Sequence, residues 1–348
     1  MTLRAAKDSG FDLPVTTEPM EAKSAESLPT EAGAWQYEPK WDGFRCLAFK
    51  SGKQVDLRAK SGKPLGRFFP EVLALLAELP VDRFVLDGEL VIEIDGHRSF
   101  DALQTRLHPA ESRIRKLSAA TPARLMLFDM LVSINGKPLL DRPLIERRIA
   151  LEAFGKQFTK PGRLIVSPCT LDLALAERWL GDFGEGATDG VVAKRLVGPY
   201  EAGERAMVKV KRLRTADCVI GGFRYENNSR EVGSLLLGLF DEEGKLNHVG
   251  FTSTITDKER HALTKRLEAL REPSGFTGKA PGGPSRWSTE RSGEWEPVRL
   301  ELVVEIRFDH VTGDRFRHGT KLLRWRPDKA PRQCTMEQMM PPLAEVPT

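Results

Sequence analysis

Alternating hydrophobic and polar positions dominate the first two thirds of the chain. Residues 44–50 and 54–58 alternate on either side of a Ser-Gly turn, which predicts a β-hairpin. Residues 70–79 instead carry apolar side chains at helical spacing. Further strands are predicted at residues 83–87, 90–94, 124–131, 164–168, 190–194 and 207–211, and further helices at residues 143–154 and 172–183. Strands therefore outnumber helices in this part.

Short, hairpin-type connections join most of these predicted strands. Parallel strands need long crossovers, usually helical, and few segments of this chain are long enough to provide them. The pattern therefore predicts an α+β fold with antiparallel sheets rather than a parallel α/β sheet.

The last third of the chain is a compact β-rich region. The predicted strands are residues 218–224, 234–241, 245–251 and 300–308. One amphipathic helix interrupts them, and it opens with the capping-box sequence Thr256-Asp-Lys-Glu259. About five strands with one inserted helix are typical of an oligonucleotide-binding (OB) β-barrel.

Length and composition are those of a globular protein. The chain has 348 residues, of which 40% are hydrophobic and 29% charged, and this length favours two domains, which we place at residues 1–212 and 213–348. The sequence has no run of roughly 18 apolar residues and no apolar signal core at its start. Its four cysteines are dispersed without a Cys-x-x-Cys pair, which excludes a zinc finger. We expect a cytoplasmic protein.

The net charge of +4 is modest, but the basic residues are clustered. Residues 205–214 hold five basic side chains and no acid, and residues 315–332 hold seven against Asp328 alone. Such clusters suit phosphate-rich partners, although solvated basic faces of this kind are about equally common. The charge pattern by itself leaves both interpretations open.

The segment Glu38-Pro-Lys40-Trp-Asp42-Gly43-Phe-Arg45 is the most informative one in the chain. It sets a lysine between two carboxylates and follows it with a glycine and an arginine. A surface lysine is normally protonated and inert as a nucleophile, so a catalytic lysine needs neighbours that favour its neutral form and hold a reacting phosphorus. The segment indicates a nucleophilic lysine that acts on a nucleotide phosphate.

Later fragments carry charged or aromatic residues at predicted strand positions. They are Asp87-Gly-Glu89, Phe128-Asp129, Asp189-Gly190 with Lys194, and Lys209-Val-Lys211. Each is ambiguous alone, because an Asp-Gly is usually a turn, a phenylalanine in an apolar run is usually core, and alternating lysines usually mark a solvated edge. Lys209 and Lys211 face the same side of a strand, together with Met207, so an anion beside them would offset their repulsion.

Taken in order, these fragments resemble the motifs of the covalent nucleotidyltransferase superfamily, which includes ATP-dependent ligases and RNA-capping enzymes. The chain resembles in particular the small stand-alone bacterial ATP-dependent DNA ligases of the ligase C type, over nearly its whole length. Lys40-Trp-Asp42-Gly43 with Arg45 matches the first motif, whose lysine becomes adenylated. The later motifs are matched at Lys60-Ser-Gly62, Glu89, Phe128-Asp129, Asp189-Gly190 with Lys194, Lys209 with Lys211, and Arg326-Pro-Asp328-Lys329.

The resemblance implies both a fold and an activity. The fold is an antiparallel-sheet nucleotidyltransferase domain (an ATP-grasp-like adenylation domain) followed by an OB-fold domain. The activity is that of an ATP-dependent DNA ligase, which seals nicks or breaks through a covalent lysyl-AMP and a DNA-adenylate, most often in repair.

The resemblance also implies roles for individual residues. The implied catalytic residues are Lys40, Lys194, Lys209 and Lys211. Among the implied nucleotide-binding residues, Glu38 reads the adenine, Phe128 stacks on it, and Arg45 and Glu89 hold the ribose. Arg326 and Lys329 contact the pyrophosphate. The remaining implied nucleotide-binding residues are Lys60, Lys194, Lys209 and Lys211. The implied cofactors are ATP and Mg²⁺, with Mn²⁺ as an alternative ion and Glu89 and Asp189 as metal ligands.

Three positions depart from the family pattern. Lys60 stands where arginine is frequent, Asp189 where glutamate is usual, and Met207 where many relatives have tryptophan. Lysine keeps the charge of arginine but loses its bidentate fork, and aspartate has a shorter reach than glutamate.

The expected partner is nicked or broken duplex DNA, with DNA-repair proteins such as a gap-filling polymerase as further partners. Nicks occur in any sequence, so we expect binding to the phosphate backbone, with strong salt dependence and little base preference. We expect a monomer with no membrane association that lies on the nucleoid when bound to DNA.

Two other functions compete with this one. A capping guanylyltransferase or RNA ligase shares the lysine chemistry, although Leu86-Asp-Gly-Glu89 and Arg326-Pro-Asp-Lys329 favour a DNA ligase. A catalytically silent nucleic-acid-binding module would have lost its site residues, whereas Lys40, Glu89 and the later lysines are all present.

Overall fold

A computed structural model of the chain describes residues 10–160, 162–181, 188–282 and 294–339. Contacts divide the chain into two units, Met1–Arg212 and Leu213–Thr348. Within the described residues, no helix has both the length and the apolar character needed to cross a membrane.

The first unit contains eleven strands and five α-helices in its described part. The strands are β1 (Ala22–Ala25), β2 (Trp35–Trp41), β3 (Phe44–Ser51), β4 (Gln54–Ala59), β5 (Arg83–Val91), β6 (Glu93–Ile94), β7 (His97–Arg98), β8 (Arg124–Val132), β9 (Leu164–Val166), β10 (Thr188–Arg195) and β11 (Met207–Lys211). The helices are α1 (Pro70–Ala77), α2 (Phe100–Arg106), α3 (Glu111–Ala120), α4 (Leu144–Phe158) and α5 (Leu173–Gly181).

Two sheets organise the first unit, and both are mainly antiparallel, as the sequence predicts. One has the strand order β1-β11-β10-β2, and the other β4-β3-β5-β8-β9. Among the strand pairs that the structure describes in these two sheets, only the terminal pairs β1–β11 and β8–β9 are parallel. Because β2 belongs to the first sheet and β3 to the second, the chain crosses between the sheets at Asp42 and Gly43, directly after the lysine motif.

Side-chain alternation along β3 explains how the layers are held together. Cys46 and Ala48 face a core that the helices cover, together with Leu76 of α1 and Leu151 of α4. The intervening residues on β3 pack in a second cluster with Met207 of the other sheet. The two sheets therefore face each other across an apolar layer, with α5 packed against the far side of the four-stranded sheet.

Two sequence predictions for this unit are wrong. Residues 83–87 and 90–94 were predicted as separate strands, but β5 runs continuously from Arg83 to Val91. The Asp-Gly between them is not a turn, because the Asp87 carboxylate is buried within the strand and is paired with Arg45 and Tyr200. Helices α2 and α3 were not predicted, and the last two residues of the predicted helix 172–183 lie outside the described residues.

The second unit is a β-barrel with one main helix. Its strands are β12 (Arg214–Tyr225), β13 (Val232–Phe240), β14 (Leu246–Thr252), β15 (Glu296–Pro297), β16 (Val303–Phe308), β17 (Val311–Thr312), β18 (Arg315–Phe316) and β19 (Lys321–Trp325), and α6 is Asp257–Ala269. The main sheet has the order β14-β13-β12-β16-β19. A bridge between Thr252, at the end of β14, and Thr320, directly before β19, brings the two edges of this sheet together.

The start of α6 differs in detail from the predicted capping box. Thr256 is the N-cap residue, but its hydroxyl donates to the Glu259 carboxylate at 2.6 Å instead of accepting from the helix backbone. Short 3-10 helices at Pro331–Gln333 and Met336–Met339 complete the described part of the unit.

Candidate active site

A cavity of about 180 Å³ lies between the two sheets of the first unit. Each sheet contributes the residues whose side chains point toward the other sheet, and the segment before β1 closes one side. The predicted site residues that line the cavity are Glu38, Lys40, Arg45, Lys60, Glu89, Phe128, Lys194 and Lys209. Residues more than 170 positions apart in the sequence thus converge on one pocket, between Glu38 and Lys209.

Lys40 lies near the end of β2, where the chain leaves the four-stranded sheet. Its Nζ donates a hydrogen bond to Oδ2 of Asp189 at 2.6 Å, and both side chains are mostly shielded from solvent. Asp189 lies where β10 departs from regular pairing with β2, between Thr188 and Val191. A carboxylate this close both orients the amine and can accept the proton that the amine must lose before it attacks an electrophile.

Two glycines allow the backbones around Lys40 to approach closely. A Cβ on Gly43 would lie 2.1 Å from the carbonyl oxygen of Leu90 on β5. A Cβ on Gly190 would lie 2.1 Å from the carbonyl oxygen of Val210 on β11, and Gly190 has a φ of +148°. The glycines that follow Asp42 and Asp189 are therefore required by packing between strands, a role the sequence did not reveal.

We expect Gly43→Ala to lower the free energy of unfolding by about 1–3 kcal/mol, because the added methyl group overlaps a backbone atom that cannot move aside. Chemical denaturation measures this change. Gly319→Ala is the matched control, since a Cβ there meets no atom within 4 Å, and a surface change of this kind alters stability by less than about 0.5 kcal/mol. Equal stability of Gly43→Ala and the unaltered protein would contradict the packing role.

A buried ion pair forms one end of the pocket. Nζ of Lys194 lies 2.9 Å from Oε2 of Glu38, and each side chain is only 3% exposed. Lys194 also donates to the carbonyl of Phe128 at 3.2 Å and lies 4.7 Å from the centre of its ring. Gln36, which sequence reasoning missed, donates to Oε1 of Glu38 at 2.7 Å. Its position two residues before Glu38 on the same face of β2 was the available signal.

Arg45 is held beside the Phe128 ring by a hydrogen-bond network that the sequence did not reveal. Its Nε and Nη2 each donate to one oxygen of Asp87 at 2.6 Å, and its Cζ lies 4.6 Å from the ring centre of Phe128. The Tyr200 hydroxyl donates to Asp87 at 2.6 Å and accepts from the backbone N–H of Met20 at 2.9 Å. Burial lowers the pKa of Arg45, but Asp87, Tyr200 and Glu89 together raise it by more, so the guanidinium stays charged.

Glu89 points into the pocket from β5. Within the part of the chain that the structure describes, its carboxylate takes part in no hydrogen bond or salt bridge. Burial raises the pKa of Glu89 to about 8, although Arg45 and Lys40 oppose the shift. A desolvated carboxylate without a protein partner suits a position that a cation or a ligand hydroxyl completes.

This pKa shift predicts a pH-dependent stability. The folded protein keeps a proton on Glu89 up to about pH 8, whereas the unfolded chain releases it near the ordinary value of 4.5. Stability must therefore fall as pH rises between these values, because the unfolded state binds fewer protons. We expect Glu89→Gln to become progressively more stable relative to the unaltered protein from pH 4.5 to pH 8 in the absence of nucleotide and metal. Thermal unfolding of both proteins across this pH range tests the prediction. A stability difference between them that does not change with pH would contradict the raised pKa of Glu89.

Basic side chains gather around the remaining wall of the pocket. Burial lowers the pKa of Lys209, and the nearby charges of Lys40, Lys211 and Lys60 lower it further. Lys60 pairs with Glu21 at 2.9 Å, and this contact lowers the pKa of Glu21. Lys209 lines the cavity, whereas Lys211 lies further along β11 and contributes its charge from outside the lining. A phosphate group would relieve this accumulation of positive charge.

Arg326 and Lys329 belong to the second unit, where both pair with Asp217. Asp328, the acid of the same motif, pairs with Arg326 at 2.9 Å, and this contact holds the pKa of Asp328 at about 2. Asp217 was not among the residues that the sequence indicated.

Comparison with known proteins assigns both parts of the chain. The family model for the ATP-dependent DNA ligase domain matches residues 19–211, and the model for the ATP-dependent DNA ligase C-terminal region matches residues 228–329. The predicted OB-fold is confirmed by the match to the C-terminal region. DNA ligase C1 of Mycolicibacterium smegmatis is 44% identical, with 96% of this chain and 97% of that protein covered. DNA ligase C of Mycobacterium tuberculosis is 41% identical over 93% of this chain and 94% of its own length.

Comparison with solved structures leads to the same family. The crystal structure of the ligase domain of M. tuberculosis LigD is 28% identical and superimposes with a TM-score of 0.50, covering 92% of this chain and 98% of that domain. The resemblance to ligases of the C type is thereby confirmed, and the chain belongs to the ATP-dependent DNA ligases.

Proposed function

We propose that this ligase seals nicked or broken duplex DNA in repair, and that Lys40 carries the AMP group. The observation that carries the proposal is the position of Lys40, which lines the pocket with its Nζ held 2.6 Å from Asp189. The same pocket offers a buried acid, an aromatic ring and several cations, which are the groups that a nucleoside triphosphate needs.

The adenosine of ATP would occupy the end of the pocket at Glu38, Phe128 and Arg45. One lone pair of the Glu38 carboxylate can accept from the exocyclic amino group, which adenine has and guanine lacks at the equivalent position. The Phe128 ring supplies a stacking surface, and Lys194 fixes both Glu38 and the backbone of Phe128. We therefore assign Lys194 a role in shaping the base site in addition to its charge.

In the first step, Asp189, which accepts a hydrogen bond from Nζ, takes one proton from the Lys40 ammonium. The neutral Nζ then attacks the α-phosphorus, a P–N bond forms, and the bond from phosphorus to the pyrophosphate oxygen breaks. The second proton that the nitrogen must lose passes to solvent. Lys209, Lys211 and Lys60 offset the negative charge on the phosphate oxygens. The Arg326 and Lys329 cations are proposed to bind the leaving pyrophosphate.

The residues present fit a hard divalent cation, since Glu89 lines the pocket without a protein partner in the described part of the chain and the Asp189 carboxylate lies beside the proposed nucleophile Lys40. These two residues would hold Mg²⁺ or Mn²⁺. Such an ion supplies neutralisation of phosphate charge when it is bound.

In the second and third steps, the 5′-phosphate of a DNA end takes AMP from Lys40, and a 3′-hydroxyl then displaces AMP to join the strands. Lys40 regains its free amine in the second step and makes no bond in the third. The distinction matters for testing, because a change at Lys40 blocks the first two steps but leaves the third chemically possible.

Labelling with radioactive nucleotide tests the proposed function. We expect covalent label from α-labelled ATP but not from α-labelled GTP, and we expect nicked duplex DNA to remove the label as it is sealed. Label from GTP alone would indicate a capping-type enzyme, and label that RNA but not DNA removes would indicate an RNA ligase.

A further inference from the structure

Asp217 holds the two cations of the terminal motif in one arrangement. It lies on β12 and is 8% exposed. Its Oδ1 accepts from Nη1 of Arg326 at 2.8 Å, and its Oδ2 accepts from Nζ of Lys329 at 2.6 Å. A buried carboxylate between two cations fixes both, because each oxygen is committed to one partner.

The backbone of Asp217 is itself clamped. Gln338, in the 3-10 helix Met336–Met339, accepts from the Asp217 N–H at 2.9 Å and donates to the Asp217 carbonyl at 3.1 Å. Arg214 on the same strand donates to the carbonyls of Gln338 and Met339 at 2.9 and 3.1 Å. These contacts tie the 3-10 helix to β12, so the Asp217 carboxylate has a rigid base.

The two cations keep donors for another partner. Lys329 has three N–H donors, and within the described residues its ammonium meets only Asp217. Arg326 uses part of its guanidinium on Asp217 and part on Asp328, whose side chain is 62% exposed. The side chains of Arg326 and Lys329 are 18% and 24% exposed, so both present N–H groups to solvent from a fixed position. Phosphate oxygens are the complementary acceptors.

We propose that Asp217 is the positioning residue that sets Arg326 and Lys329 for the leaving pyrophosphate. It touches neither ATP nor DNA and acts only through the two cations. This inference rests on the proposed role of Arg326 and Lys329. Because pyrophosphate leaves in the first step alone, Asp217 matters for adenylation of the protein and not for sealing of DNA that already carries AMP.

The test compares two reactions of the full chain. One is adenylation by ATP and Mg²⁺, and the other is sealing of a pre-adenylated nick. We expect Asp217→Asn to lower the adenylation rate about 10–100-fold, as loss of orientation does elsewhere, and to leave sealing within about twofold. Asp217→Glu, which keeps the charge but shifts it, should give an intermediate adenylation rate.

Glu296→Gln is the matched control. Glu296 lies on β15, which also pairs with β12, and its carboxylate pairs with Arg271 instead of Arg326 or Lys329. Its loss removes one ion pair from the same barrel, and we expect both reactions to stay within about twofold. Thermal unfolding of all variants checks that the fold is retained.

Arg326→Ala combined with Lys329→Ala separates the inference from the proposed function. If this double variant adenylates slowly and adding Asp217→Asn slows it no further, Asp217 acts through the two cations. If the double variant adenylates slowly but Asp217→Asn adenylates at the normal rate, the positioning role of Asp217 is overturned and the role of the two cations is kept. Normal adenylation by the double variant would overturn the assignment of both cations. Equal losses in adenylation and sealing by Asp217→Asn would overturn the inference in favour of a purely structural role.

Discussion

Lys194→Met will lower the free energy of unfolding by about 3–5 kcal/mol, because it leaves the Glu38 carboxylate buried without its cation. Both side chains are 3% exposed, so water cannot replace the lost partner. Adenylation will be lost as well, since the part of the pocket proposed to bind adenine loses the group that fixes Glu38 and the Phe128 backbone. Chemical denaturation and incorporation of labelled AMP measure the two effects.

A second change separates the effects of Lys194→Met. Glu38→Gln in the same protein removes the stranded charge and keeps an oxygen that accepts from Gln36. We expect it to recover most of the lost stability while adenylation remains absent. Lys245→Met is the control, because its pair with Glu243 is solvent-exposed and such pairs contribute less than about 1 kcal/mol. Similar losses for Lys194→Met and Lys245→Met would contradict the buried pair.

Lys40→Ala will lose adenylation by at least about 10⁴-fold, because it removes the amine that we propose forms the P–N bond. Sealing of a pre-adenylated nick should persist within about tenfold, since that step forms a phosphodiester and releases AMP without a bond to Lys40. Gel assays on nicked and pre-adenylated duplexes measure the two reactions. Lys23→Ala is the control, as this lysine lies on β1 outside the pocket lining.

The outcome for Asp189 sharpens this prediction. Asp189→Asn keeps a hydrogen-bond acceptor near Nζ but cannot take its proton, so adenylation should slow while sealing of a pre-adenylated nick is less affected. Loss of both reactions to the same extent in Lys40→Ala would contradict the nucleophile assignment.

Local sequence patterns were sufficient for the parts of the site that lie within single strands. The paired lysines on β11 and the antiparallel character of both sheets follow from residue type and alternation. The lysine motif was identified from its residue types, although the strand β2 that carries Lys40 was not predicted. The order of these short motifs carried the resemblance to the ligase family, which the comparisons confirm.

The residues that hold the site residues in place could not be predicted from local sequence patterns. Tyr200 meets Asp87 across 113 positions, and Arg326 meets Asp217 across 109. Neither contact has a local signature, because each depends on strands brought together only in the folded chain. The strand end predicted after Asp87 was wrong as well, since an Asp-Gly pair usually marks a turn, whereas here the strand continues and the acid is held inside β5 by Arg45. The close packing of Gly43 against Leu90 likewise depends on a contact between strands and has no local sequence signal.

The central claim is that Lys40 becomes the AMP carrier, and intact-mass spectrometry followed by peptide mapping tests it most directly. After incubation with ATP and Mg²⁺, we expect a mass gain of about 329 Da, the size of an AMP adduct, located on the peptide that contains Lys40. Nicked duplex DNA should remove the adduct, and Lys40→Ala should never acquire it. An adduct on a different lysine, or ligation by a protein that never gains this mass, would contradict the account.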